Sequence, residues 1–230
     1  MEMGGLIGGL YHISQWVMRL SITNILWLLF NLPVIYILVN LLYLEDKHSF
    51  FLNVIVLIIM LPLIFFPATT AMFGVVRQWV LKDLEAPLFI SFLKYYKHNF
   101  VRSILGGMII VPIWCVLIFN FFYYSDKFRI VTLNVFIILA MFLFVITCYF
   151  FANTVHMEMR LIDSLKSSVY LCFANVLYTV TIFFTTVIIL YVSFFLITFF
   201  IPILVGSLFS CTAFFGYYGV LTRVQTLQKQ

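Results

Sequence analysis

The sequence predicts an all-α fold, a polytopic transmembrane helical bundle, and three observations lead there. Of its 230 residues 65% are hydrophobic and only 9% charged, whereas roughly a quarter of the residues in an average soluble chain are charged. Mean hydropathy is +1.16. Charge-free stretches exceed the roughly 20 residues that cross a hydrocarbon core of about 30 Å. Finally, the 13 Lys and Arg fall beside the apolar runs rather than within them, the pattern of membrane topology rather than of nucleic-acid recognition. One membrane domain, 1–230, uses the whole chain, with the lipid bilayer as its partner and no nucleic acid expected.

Six spans follow in order. Residues 21–42 form the first apolar run, closed by Glu45, Asp46, Lys47 and His48. Residues 50–76 supply 27 positions without charge and contain Pro62 and Pro67. Each proline removes a backbone donor and disfavours a straight helix, so this span is expected to be broken. Residues 101–124 carry Gly106, Gly107 and Pro112, and residues 130–155 follow a short polar connection. The 56 charge-free residues from Ser167 to Thr222 are too long for one crossing at 1.5 Å per residue. They must turn back, near 198–202, which makes spans of 169–197 and 203–221.

Charge sets the orientation. With both termini cytoplasmic, ten Lys and Arg lie inside and three, Lys47, Lys127 and Arg129, lie outside. This positive-inside bias agrees with an even number of spans. Arg77 and Trp79 mark a cytoplasmic boundary.

Between 87 and 101 the period changes to that of an amphipathic helix. Phe89, Phe92, Leu93, Tyr96 and Phe100 share one face, with Lys94 on the opposite side and Lys97 beside it. Such a helix suits the inner membrane interface, with rings in the headgroup boundary and ammonium groups toward phosphate or water. The alternative is a cytoplasmic helix packed back on the bundle. Tyr11 to Leu20 has a weaker apolar face, carried by Ile13, Trp16, Val17 and Leu20, and is expected along the membrane before the first span. The opening segment has no Lys or Arg before Arg19 and no compact cleavage site, so it does not read as a removed signal peptide.

No reaction centre emerges. The four cysteines are single and far apart, which suits packing. His12, His48, His98 and His156 have no metal-ligand spacing, and Glu158 and Asp163 diverge by about 140° on a helix at 100° per residue. There is no phosphate loop and no nucleophile elbow. The chain therefore reads as non-enzymatic, with no cofactor. The central parts of the spans lack ionisable residues, which argues against a proton-coupled carrier.

Polar groups remain. Asn24 and Asn31 share a face across two turns; Asn53, Asn120, Asn134, Asn153 and Asn175 add amides, and Thr179, Thr181, Thr185 and Thr186 add hydroxyls. Hydrogen bonding between helices is one reading; a polar cavity at broken helices, serving a small-solute transporter, is the other. For the second span, Pro67 is expected to kink the helix, Thr69 and Thr70 to satisfy freed backbone groups, and Gly74 to allow close packing.

Three segments, Asn24–Phe30 (NILWLLF), Phe66–Trp79 (FPATTAMFGVVRQW), and Phe89–Lys94 running on to Asn99–Phe100, resemble the YesL-like family of bacterial multi-pass membrane proteins of uncharacterised function. The resemblance covers residues 20–105 closely and the remainder only in hydropathy. Extra residues around 45–60 distinguish this chain from more compact relatives. The resemblance implies a Gram-positive plasma membrane. Through relatives linked with carbohydrate utilisation and transport, it also implies a membrane transport complex as partner. It supplies no catalytic residues.

Overall fold

A computed structural model describes residues 6–83, 86–124, 129–196 and 199–228. In chain order the helices are α1 (Leu6–Phe30), α2 (Leu32–Tyr43), α3 (Lys47–Met60), α4 (Phe66–Val80), α5 (Leu88–Tyr124), α6 (Arg129–His156), α7 (Leu161–Ala174), α8 (Val176–Tyr191), α9 (Phe200–Ile203) and α10 (Val205–Gln228). Two π-helical turns, Leu61–Phe65 and Val192–Leu196, join α3 to α4 and extend α8. No strand occurs among the described residues. Six helical stretches are long and apolar enough to cross a membrane: Gly8–Phe30, Lys47–Val80, Leu88–Tyr123, Thr132–His156, Val176–Phe195 and Val205–Thr226. The all-α, six-span class expected from the sequence is the class observed.

Two of the expected boundaries differ. The first run, 21–42, is divided at Asn31, and the span-length helix begins earlier, at Gly8, leaving Leu32–Tyr43 as a short apolar helix. Pro33 has no N–H to give the carbonyl four residues back, so the ladder is interrupted there. The Asn31 Nδ2 donates to the Trp27 carbonyl at 2.8 Å beside the break. Since Tyr11 to Leu20 belongs to α1 without interruption, it is not a separate element ahead of the first span.

The expected fifth span, 169–197, is cut at Asn175, whose φ of −143° and ψ of 79° are non-helical. Thr179 repairs the cut: its hydroxyl donates to the Cys172 carbonyl at 2.8 Å. Residue 198, in the expected turn, lies outside the described residues; the chain re-enters helix as the single turn α9. The connection carrying Lys127 is likewise outside them.

The helix expected over 87–101 begins at Leu88 and continues unbroken through the third span to Tyr124, about 55 Å at 1.5 Å per residue. Pro112 lies inside it without ending it.

α4 is the axis of the molecule. It packs against α1, α5, α6 and α10, and every residue from Phe66 to Val76 is buried. Close approach is set by glycines whose missing side chains make room for neighbours. A Cβ on Gly74 would enter the Tyr95 ring, one on Gly106 the Phe150 ring, and one on Gly107 would stand 2.8 Å from the Pro62 Cα. α4 ends in a Schellman turn: Lys82 N–H donates to the Trp79 carbonyl at 3.0 Å and Asp83 N–H to Gln78 at 2.9 Å. Lys82 occupies the left-handed position, φ 65°, where glycine is usual.

Candidate functional site

Helices α1 and α4 carry the sequence-predicted Asn24, Thr69 and Thr70 into the bundle interior, α6 carries Asn153, and α8 carries Thr179 and Thr186, whereas Asn120, Asn134 and Thr181 are exposed. Asn24 is fully buried. Its Nδ2 donates to the Pro202 carbonyl at 2.7 Å, and its Oδ1 accepts from the Ser207 N–H at 3.2 Å. The side chain thus satisfies backbone groups on both sides of the α9–α10 junction, where the helical ladder is broken. Asn31 stays on its own helix.

Thr69 accepts from the Trp27 Nε1 at 3.1 Å, tying α4 to α1. Thr70 donates to the Phe66 carbonyl at 2.9 Å, the ordinary bond to the carbonyl four residues back; the carbonyl that Pro67 leaves without its helical donor is that of Leu63, which neither threonine hydroxyl reaches in a hydrogen bond among the described residues. Ser103 Oγ of α5 lies 2.8 Å from both the Thr70 hydroxyl and the Asn99 carbonyl. Pro62 sits in the π turn and Pro67 in the first turn of α4, where a missing donor is tolerated; both are buried. Within the bundle, Asn24, Thr69, Thr70 and Gly74 sit where helices meet one another.

One junction was not singled out by sequence. Buried Asn153 donates to Ser168 Oγ at 3.0 Å and accepts from Tyr217 Oη at 2.8 Å, so one amide holds α6, α7 and α10 together. The sequence offered it only as one of several amides, because nothing local shows which helices meet.

Along the first turns of α5, Phe89, Lys94, Lys97 and Phe100 are exposed, while Leu93 and Tyr96 are half-buried. Phe92 is different. It is fully buried, its ring 5.2 Å from that of Phe30, with Tyr96 also against Phe30 at 4.8 Å. Part of the amphipathic stripe therefore packs on α1 instead of facing outward. Trp79 is buried edge-on to Trp16 at 5.8 Å.

Two cavities lie at different levels of α4. The larger, about 740 Å³, runs between α3, the π turn, α5, α6 and α10; phenylalanines, aliphatic residues and Trp114 line it, with Thr69 and Thr147 the hydroxyl-bearing residues in its wall. The smaller, about 210 Å³, lies at the Arg77 end and is polar, lined by Arg77, Lys94, His98, Arg102, His156 and Glu158 among others. Arg77 Nε donates to His156 Nδ1 at 3.3 Å and its Nη1 to Tyr95 Oη at 3.4 Å. Accepting at Nδ1 assigns the His156 proton to Nε2. The imidazole is hemmed in by the Phe214, Tyr217 and Tyr218 rings, with centroids 6.1, 5.8 and 6.0 Å away. Arg102 Nη1 donates to the Met157 carbonyl at 3.0 Å. Sequence had marked Arg77 only as a boundary; the positive-inside bias puts these charges on one side of the membrane and says nothing of their convergence. No group of three His, Cys, Asp or Glu suited to a metal occurs among the described residues.

Such a bundle of six long apolar helical stretches defines a multi-span helical membrane protein. A family model described as "Protein of unknown function, DUF624" matches residues 20–121. Uncharacterized protein YteU of Bacillus subtilis (strain 168) is 30% identical over 230 residues, covering 98% of this chain and 90% of that relative. Uncharacterized protein YesL of the same organism is 27% identical over 167 residues, 73% of this chain and 68% of that relative. The chain belongs to this YesL-like family, whose members named here are uncharacterised. No solved structure matches it significantly.

Proposed function

We propose that this chain is a non-enzymatic accessory or interaction protein of the bacterial plasma membrane, with both termini cytoplasmic and a carbohydrate permease or related transport complex as its partner. The observation that carries the reading is the use made of the interior polar groups. Trp27 with Thr69, Ser103 with Thr70, Asn24 with the α9–α10 junction, and Asn153 with Tyr217 are committed to one another. A carrier of polar solutes needs such groups free to exchange partners with its substrate. The larger cavity beside the π turn of the second span has an apolar wall, a poor exchange for the hydration of a sugar. Support for the orientation is the ten-to-three division of Lys and Arg; the transport association rests on the family resemblance alone.

Crosslinking in intact membranes, followed by purification and identification of adducts, tests the partner. Reproducible recovery of a permease subunit supports the proposal. Substrate-dependent sugar flux into proteoliposomes containing the isolated protein overturns it. Single cysteines at positions 46 and 95 in a cysteine-free background test the orientation. Position 46 should label in sealed cells and position 95 only after permeabilisation; the reverse pattern rejects it.

A further inference from the structure

We infer that the polar cavity between α4, α5 and the end of α6 is a binding site for a phosphate group, with Arg102 as its central residue. Three fixed cations, Arg77, Lys94 and Arg102, and two imidazoles line it against a single carboxylate, Glu158. No lysine or arginine in the cavity makes a salt bridge among the described residues. Both arginines spend hydrogen bonds on neutral acceptors: Arg102 on one backbone carbonyl, and Arg77 on an imidazole and a phenol at 3.3 and 3.4 Å. Those two contacts are longer than the usual N–H donor distance and correspondingly weak.

The decisive feature is which part of Arg102 is used. Nη1 holds the Met157 carbonyl, while Nε and Nη2 are shielded from solvent and have no acceptor. Nε and Nη2 form one edge of the guanidinium, with parallel N–H bonds that match two oxygens of a tetrahedral oxyanion. A buried donor without an acceptor is costly, and two on one cationic edge call for an anion. Lys94, His98 and Glu158 are exposed, so the cavity can be reached from solvent along that wall. The volume, about 210 Å³, equals about seven bulk waters, room for one phosphate and part of the group bearing it. Phosphate is favoured over carboxylate because three cations converge from two helices, α4 and α5, around one space. The phosphate can belong to an anionic lipid headgroup or to a soluble phosphate ester; Lys94 and His98, exposed on α5, leave either route open. This site is independent of the accessory role proposed above.

The test uses the full-length protein, purified and delipidated. In the soluble arm, inorganic phosphate and glycerol 3-phosphate are titrated by calorimetry. In the lipid arm, native mass spectrometry counts phosphatidylglycerol retained from nanodiscs of phosphatidylglycerol and phosphatidylcholine. Saturable binding is expected in one arm, and that arm identifies the source. Arg102→Lys keeps the charge but loses the paired edge, and should weaken binding about tenfold. Lys94→Gln, at an exposed position, should weaken it about two- to fivefold, and Glu158→Gln should strengthen it by a similar factor. Should Arg102→Lys fail to fold, the opposite signs of the other two variants decide. No saturable binding in either arm overturns the proposal, as does binding that Arg102→Lys leaves unchanged, or equal effects of Lys94→Gln and Glu158→Gln.

Discussion

α3 and α4 are two halves of one helical rod, Lys47–Val80, and they are used in opposite ways. α3 reads KHSFFLNVIVLIIM and buries none of its residues; α4 reads FPATTAMFGVVRQWV and buries twelve of fifteen. The more aliphatic half is the exposed one. In water that would be an inversion, but lipid tails are as apolar as leucine, and burying a side chain there brings little solvent release. What draws a helix to the centre is close approach and hydrogen bonding, so Gly74, Ala68, Ala71, Thr69 and Thr70 count for more than Ile55, Ile58 or Ile59. The halves join where Pro62 lacks a donor and the backbone loosens into a π turn.

The comparison can be broken by crowding the inner half. Gly107→Ala should have the largest effect, about 1–3 kcal/mol destabilising, because the new methyl meets the Pro62 Cα at 2.8 Å and backbone cannot rotate aside. Denaturation by SDS in mixed micelles reads this directly. A midpoint equal to wild type would mean that α5 and the π turn are not in this close register.

The polar fastening of α4 to α1 is a smaller contribution. In a double-mutant cycle, Trp27→Phe with Thr69→Val should return a coupling energy of about 0.6 kcal/mol and not above roughly 1.7. Zero coupling would remove the Trp27–Thr69 hydrogen bond from the account. Lys82→Gly should act in the other direction, stabilising by up to about 1 kcal/mol, because glycine carries no steric penalty at φ 65°. A lowered SDS midpoint for that variant would contradict the Schellman ending of α4.

On the exposed half, Ile55→Leu and Ile59→Leu should each change stability by no more than about 0.5 kcal/mol. A large loss at either would show that α3 is covered by something other than lipid.

The smallest effect belongs to Asp46, the N-cap of α3. Its carboxylate accepts from the Ser49 N–H at 2.9 Å and from the Ser49 hydroxyl at 2.8 Å, and these bonds, the backbone one first, hold its pKa below the ordinary carboxylate value. A depressed folded pKa means that the contribution is complete above the unfolded value and lost as pH falls through the folded one. Asp46→Asn should therefore leave stability near neutral pH almost unaltered and flatten its acid dependence below about pH 4. An acid profile identical to wild type would sink the cap assignment.

Much of this fold could be read from the chain. Long apolar runs and the placement of Lys and Arg require a multi-span helical protein, because an unpaired backbone group in hydrocarbon costs several kcal/mol and only helices and closed barrels avoid that cost. The Thr70 bond to Phe66 runs along one helix and is local, whereas the space left by Gly74 is filled by Tyr95 of α5, a meeting of helices that no local pattern states. The divisions at Asn31 and Asn175 were not readable either. A hydropathy window sums side chains and is blind to a single turn of backbone, so 21–42 and 169–197 looked continuous.

By itself the sequence determined the solvent of this protein, its helical class, its six candidate spans and the grouping of its charges. Only the tertiary structure decided which helix became the axis, that Asn153 and Asn24 each tie separate segments together, that Phe92 turns inward onto Phe30, and that Arg77, Arg102 and His156 meet around one cavity. The reason is the period of the helix: local pattern states which residues share a face, but which faces meet depends on packing between segments up to 183 residues apart, as Asn24 and Ser207 are.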